Sequence, residues 1–420
     1  MQPIGILFFL LFTFLIYFMP LSRRKFIQLS SLASASLMVP QFLKGFEYRP
    51  YPLVRKNNKI LVIVQLSGGN DGLNTIIPYR NDIYYKSRPY IGIQREDALS
   101  LNDDTGLNPN MKGIKQLYDE GHVSIINGVG YPDPDRSHFR SMDIWQSGSA
   151  SNELITSGWV GRYLDNACAD CNVHNSLAIE VDNTLSLAMK GDEKNAIAVR
   201  DIGQFYNAAA NNYFKKLATH EEEHEAKLAS YLYKTLRETA SAADYIYDQS
   251  KIYNAAQIYP DSAIGKKMKT IGTLIVSNAE TQAYYVSHGS FDTHVNQKGR
   301  QDNLFKQLDE ALMALVADLK NNGRFDDVLI MTFSEFGRRV AQNASNGTDH
   351  GTASSMFFIS GGLKKAGLYN KIPSLEDLDE EGDLKYDIDF KQVYATVLDN
   401  WLQADSRTIL DRKYEKLAFI

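Results

Sequence analysis

Residues Lys59–Tyr79 read KILVIVQLSGGNDGLNTIIPY, and this stretch decides the fold. Ile60 to Leu66 is an almost unbroken β-branched and aliphatic run, the pattern of a strand covered on both faces. Gly68, Gly69 and Gly72 follow. There the backbone can take φ > 0 and leave room for a ligand. They present Asn70 and Asp71. In open α/β sheets the binding crevice lies beyond the carboxyl ends of the strands, so Asp71 is a candidate site residue. Taken alone, the same turn reads as a helix cap.

Three later segments share this order of apolar strand and polar cluster. In Gln282–Gln297, QAYYVSHGSFDTHVNQ, a strand over Ala283 to Val286 precedes His288, Asp292 and His294. If Asp292 to His294 is extended, both side chains lie on one face, because strand side chains repeat every two residues. Carboxylate plus imidazole suits zinc or another borderline divalent metal. In Asp327–Arg339, DVLIMTFSEFGRR, a buried-strand run over Val328 to Phe333 leads into Ser334, Glu335 and Arg338. Glu335 reads either as a site residue or as a first-turn acid favoured by a helix dipole. In Asn346–Ser355, NGTDHGTASS, Asp349 and His350 sit between glycines, ahead of a strand over Met356 to Ser360. Of the eight histidines, His138, His288, His294 and His350 fall in such clusters, whereas His220 and His224 lie in an acidic helical stretch.

A fourth cluster is Tyr131–Gly148, YPDPDRSHFRSMDIWQSG, after a strand-like His122 to Val129. Pro132 and Pro134 mark a loop, and Ser137 precedes a helix predicted over His138 to Gln146. Ser137 reads two ways. It is a good N-cap. A hydroxyl at a helix N-terminus also meets an anion-friendly dipole, so it could attack a phosphoryl or sulfuryl centre beside a metal.

LSGGNDGLNT, GSFDTHVNQ, TFSEFGRR and GTDHGTASS, in this order, with the ending DFKQVYATVLDNWL, resemble the bacterial family called domain of unknown function 1501. The resemblance runs from Lys59 to Ile420. That family is similar in turn to the alkaline phosphatase and sulfatase superfamily. The resemblance implies an α/β fold, a mostly parallel central sheet sandwiched by helices, with a metal site at the strand ends. It also implies action on phosphate or sulfate esters. Carried over by position, Asp71 matches a metal ligand after the first strand. Asp292 and His294 resemble an Asp–His ligand pair at closer spacing. Glu335 stands where the superfamily often has an Asp of Asp-His-Gly, with Phe336 in place of the His. His350 matches a late histidine, helped by Asp349. Ser137 falls near the nucleophile turn without a sulfatase signature around it. The expected site is therefore Ser137 as nucleophile and Asp71, Asp292, His294, Glu335 and His350 around a divalent ion (zinc, calcium or magnesium). Asn70, His138, His288, Arg338 and Asp349 support it.

The 420 residues are 44% hydrophobic, ample for a large core. A net charge of −5 gives no reason to propose nucleic-acid binding. Residues 1–45 read as a targeting segment: Ser22-Arg23-Arg24-Lys25-Phe26-Ile27 resembles a twin-arginine signal, followed by a modest apolar run from Leu29 to Val39. The apolar run Ile4 to Met19 is short for a span of about 20 residues. It reads as translated sequence upstream of a natural start at Met19, or as an amino-terminal membrane anchor. Cys168 and Cys171 are the only cysteines, and in an exported protein a lone CxxC reads as a local disulfide. Residues 46–420 form one expected domain, with a helical insertion at about 207–257. Further helices are expected over Lys266 to Ala279, Asn303 to Lys320 and Tyr394 to Leu402, and an acidic surface loop over Glu376 to Asp383.

Two functions follow. One is a periplasmic or secreted hydrolase of small-molecule or glycan esters, exported folded by the twin-arginine translocase. The other is a non-catalytic member of the same fold that binds a glycan, a metal or a protein partner.

Overall fold

The computed structural model describes residues 58–167, 177–211 and 227–420. The expected twin-arginine segment and the expected disulfide between Cys168 and Cys171 lie outside the described residues.

Alternation along the first strand builds two cores. In β1 (Ile60–Leu66) every residue is buried. Ile60, Val62, Val64 and Leu66 face one hydrophobic cluster, with the helices Lys112–Asp119, Ala263–Val276 and Gln297–Asn321. Leu61 and Ile63 face a second, with His138–Ser147, Trp159–Ala167 and Phe390–Thr396. A strand sandwiched this way must be apolar on both faces, and each fully buried aliphatic side chain contributes about 1.5–3 kcal/mol.

Short strands β2 (Ile76–Ile77), β3 (Leu99–Ser100) and β4 (Gly106–Leu107) form a separate three-stranded sheet. The main sheet adds β5 (Val123–Gly130), β6 (Ala178–Glu180), β7 (Ile197–Ala198), β8 (Ala283–His288), β9 (Val328–Phe333), β10 (Ser354–Ile359), β11 (Gly367–Leu368) and β12 (Ile388–Asp389). Its order is β11-β5-β10-β9-β1-β8-β6-β7, with β12 on β5. β1 pairs in parallel with β8 and β9, and β6 with β7 and β8. β11 and β12 run parallel to β5. Only β10 is antiparallel to its neighbours, β5 and β9. The fold is thus a mostly parallel α/β sheet between helices. The carboxyl ends of β1, β5, β8 and β9 share one edge, and the amino end of β10 lies there too.

Some boundaries differ from the sequence reading. The closing helix starts at Phe390, because Asp389 and Gln392 form a capping box, and it ends in a π-helical turn, Val397–Trp401. In the expected insertion, the helix Lys227–Ile252 packs on Ile202–Ala209, with Tyr206 stacked on Tyr247 at 3.9 Å. The acidic segment is not a simple surface loop: Asp383 is fully buried, and Leu375 and Leu384 join a third small core.

Candidate metal centre

Three loops at the shared strand edge, braced by the turn after β1, bring four donor atoms together. The turn after β1 is compressed against its neighbours. Gly68 has φ +119, and a Cβ there would stand 2.3 Å from the Asp292 amide nitrogen. Gly69 has φ +74, and its Cβ would stand 2.1 Å from the Phe336 ring. Only glycine permits that approach. The β9 loop is tied to the β1 turn: Gly68 N–H donates to Glu335 Oε1 at 2.7 Å, and Asn70 N–H to Ser334 Oγ at 2.7 Å. Ser141 Oγ donates to the Glu335 carbonyl. This pins the helix His138–Ser147 and sets His138, its first residue.

Asp292 Oδ1 is the centre of the cluster. His294 Nε2 lies 3.1 Å from it, His350 Nε2 3.4 Å and His138 Nε2 3.6 Å. The nitrogens of His294 and His350 are themselves 3.0 Å apart. Ligand atoms of His138, Asp292 and His350 all lie within 4.8 Å of one another.

The opposite ring nitrogens fix the tautomers. His350 Nδ1 faces the Arg136 carbonyl at 2.7 Å, which can only accept, so Nδ1 carries the proton. His294 Nδ1 meets Asp349 Oδ1 at 3.0 Å, and His138 Nδ1 meets Glu335 Oε1 at 3.0 Å. With Nδ1 holding a proton, the neutral form of each imidazole has its Nε2 lone pair toward the Asp292 oxygen, and a proton or a metal ion can sit between the nitrogens of His294 and His350. A carboxylate or carbonyl behind Nδ1 is the usual outer-shell partner of a metal-bound imidazole. Lone pairs facing each other at this range repel unless a positive charge lies between them. His138 Nε2 and Glu335 Oε2 are buried without a hydrogen-bond partner among the described residues. Three imidazole nitrogens and one carboxylate oxygen fit zinc or another borderline divalent ion.

Charge follows the same plan. Burial opposes ionisation of Asp292, but the Arg338 hydrogen bond at 2.7 Å and its positive charge hold the carboxyl below the usual range. The Glu335 hydrogen bond raises His138 above the ordinary imidazole value, while burial lowers His350. Arg338 is itself buried and donates to the carbonyls of Gly69 and Thr348. Phe336 is buried against His138 and His350, with ring centroids 4.8 and 4.5 Å apart.

The sequence-derived set is redistributed. Asp292, His294 and His350 meet as expected, with Arg338 and Asp349 behind them. His138, expected only to support, offers a donor atom. Glu335 holds His138 rather than joining the central set. Asp71 is a correction. Its carboxylate accepts from Arg88 at 2.6 Å, both side chains being 0% exposed. It also accepts from Gln297 Nε2 and caps the helix Gly72–Thr75. A carboxylate so committed is a structural ion pair. Asn70 bonds Thr75 Oγ1 at 2.9 Å, inside its own turn. His288 is buried, with Nε2 3.1 Å from the Leu304 carbonyl and its ring against Phe291. Ser137 is exposed at the N-cap position, yet its side chain makes no cap hydrogen bond. Arg136 was not singled out by sequence, because its contribution is a backbone carbonyl.

The model of a family described as Protein of unknown function (DUF1501) matches residues 127–412. No curated protein matches the chain. Similar solved structures include the lipoteichoic acid synthase LtaP from Listeria monocytogenes, at 12% identity over 79% of this chain and 72% of that one, TM-score 0.33. The PsFucS1 sulfatase from Pseudoalteromonas sp. is 11% identical over 76% of this chain and 66% of that one, TM-score 0.35. The C-terminal periplasmic domain of EcEptC from Escherichia coli, in complex with Zn, is 11% identical over 75% and 78%, TM-score 0.33. Similarity at this distance carries no argument about activity. Among the described residues no helix is long and apolar enough to cross a membrane.

Proposed function

The chain belongs to the DUF1501 family, and from the geometry of its own site we propose an exported protein that holds one divalent metal ion and hydrolyses phosphate or sulfate esters of small molecules or glycans. The observation that carries this reading is the convergence of three Nε2 atoms on Asp292 Oδ1, with every Nδ1 fixed from behind. A divalent ion bound there supplies Lewis-acid polarisation of an ester oxygen. His138, His294 and His350 keep their lone pairs inward because Glu335, Asp349 and the Arg136 carbonyl hold the Nδ1 protons. Arg338 keeps Asp292 ionised and oriented. Phe336 fills the space between two imidazoles and cannot ligate, which favours a single ion. Ser137 precedes a ten-residue helix whose amino end favours an anion, and it or a water is the attacking group.

A second reading, binding without turnover, has one observation in its favour. Among the described residues the Ser137 hydroxyl has no hydrogen bond to a base, so one of the means of activating a serine nucleophile is missing. Metal content and turnover separate the two. Purified protein should carry one equivalent of metal, lost in His350→Ala, and should cleave an aryl phosphate monoester, an aryl phosphate diester or an aryl sulfate. One equivalent of metal with no turnover of any ester would select the binding role. No metal in the wild type would remove the hydrolase reading and metal binding alike.

A further inference from the structure

We infer that the acidic turn Asp379–Asp383 is a positioning clasp for the metal centre, acting through Arg136 on His350; this rests on the metal-site reading above. Arg136 has two separate tasks. Its carbonyl accepts the His350 Nδ1 proton at 2.7 Å. Its guanidinium is held on every side by carboxylates. Nε donates to Asp383 Oδ2 at 2.7 Å, Nη2 lies 3.1 Å from Asp379 Oδ2, and Nη1 lies 3.2 Å from Glu381 Oε1. All three of its nitrogens are already engaged by carboxylates, which suits an arginine that fixes the backbone rather than the substrate.

The turn that grips it is rigid for local reasons. Asp379 Oδ1 accepts the amides of Glu381 at 3.0 Å and Asp383 at 2.8 Å, and Gly382 takes φ 84 to close the turn. Leu378 and Leu384 pair across its base and pack with the third core. The Asp383 side chain is 0% exposed, and a carboxylate buried that far needs cations beside it: Arg136 lies at 2.6 Å and Arg339 at 3.8 Å. The Arg136 loop carries Pro132 and Pro134 and has few backbone bonds of its own. Its other ties are local: Ser137 N–H, in the same peptide unit as the Arg136 carbonyl, donates to Asp135 Oδ1 at 2.7 Å, and Asp135 N–H donates to Tyr131 Oη at 3.1 Å. The clasp anchors this peptide unit to a distant segment of the chain, and His138 follows only two residues later.

The test titrates Zn²⁺ alone into the metal-free full-length chain and into His350→Ala, Arg136→Lys, Arg136→Met and the double variant Arg136→Met/Asp383→Asn. The double variant neutralises Asp383, the one fully buried carboxylate that Arg136→Met would strand; Asp379 and Glu381 keep access to water, with side chains 27% and 60% exposed. Loss of an outer-shell partner lowers metal affinity by about 10–100-fold. Arg136→Met and the double variant should fall at the lower end, about tenfold, with Arg136→Lys between them and the wild type. The metal-free unfolding midpoint of the double variant should stay near that of the wild type, which separates positioning from general destabilisation. Wild-type affinity in a folded Arg136→Met or double variant would overturn the clasp while sparing the metal site. A wild type that binds Zn²⁺ no better than His350→Ala would overturn the metal-site reading, and the clasp with it.

Discussion

Replacing Asp71 by Asn should destabilise the fold strongly and leave the metal centre alone. Asp71 and Arg88 are both 0% exposed in their side chains and 2.6 Å apart. Asn keeps an oxygen to accept the Leu73 and Asn74 amides, at 3.1 and 3.4 Å, so the helix cap survives. What is lost is the charge opposite a guanidinium that has no access to water. Breaking a buried pair by removing one partner costs about 3–5 kcal/mol. Against a total stability of roughly 5–15 kcal/mol, that is a large fraction, and the urea midpoint should fall markedly. Zn²⁺ affinity, measured by titration under folded conditions, should stay within about twofold, because Asp71 faces Arg88 and Gln297 rather than Asp292. A variant with an unchanged midpoint and abolished zinc binding would refute this, and would restore Asp71 to the ligand role that its sequence position suggested.

Gly69→Ala should cost about 1–3 kcal/mol through overpacking and weaken metal binding, because its Cβ would stand 2.1 Å from a Phe336 ring wedged between two imidazoles; normal thermal stability and zinc affinity would contradict the packing. Burial pushes Glu180 up to about 7 from its ordinary 4.5, so the folded state loses stability as pH rises from about 4.5 through 7, by at most roughly 3 kcal/mol. Glu180→Gln should remove that loss, giving a higher urea midpoint than the wild type at pH 8 and none at pH 4.5; equal midpoints at pH 8 would show that Glu180 ionises without penalty.

The strands were legible because burial on both faces leaves a direct mark on sequence. Ile60 to Leu66 and Val328 to Phe333 appear as read, and β5, β8 and β10 are shifted by two residues or fewer at each end. The site was legible only in part, since residue type does not reveal whether a carboxylate is already engaged. Asp71 has the right position for a ligand. Its partners, Arg88 and Gln297, lie 17 and 226 residues away, and only the folded chain brings them in. The run Glu376 to Asp383 reads as solvated surface because its charge is visible, whereas the arginine that neutralises it lies in another loop. His138 was undervalued for the opposite reason: the adjacent Ser137 drew the chemical reading to itself. The capping box at Asp389 and Gln392 was present in the sequence and would have moved the closing helix to its true start.

The direction of β10 explains why one motif comes ahead of its strand and the others follow theirs. β1, β5, β8 and β9 run the same way, so the residues emptied at their carboxyl ends (the Gly68 turn, His138, Asp292 with His294, and Glu335 with Arg338) reach one edge after each strand. A fifth contribution to that edge has two routes. It can follow another parallel strand, or it can precede a strand that runs back. His350 takes the second: it lies in the loop entering β10, which is antiparallel to β5 and β9. The bridge between Arg338 and His350 joins the chain leaving β9 to the chain about to enter β10, and Gly351 N–H donates to the Gly337 carbonyl there at 2.9 Å. A polar cluster placed before an apolar strand, among several placed after theirs, is therefore itself a signal of strand reversal. In this chain GTDHGTASS ahead of Met356 to Ser360 carried that signal. It ties the reach of the His350 loop to the site directly to the one antiparallel strand in an otherwise parallel sheet.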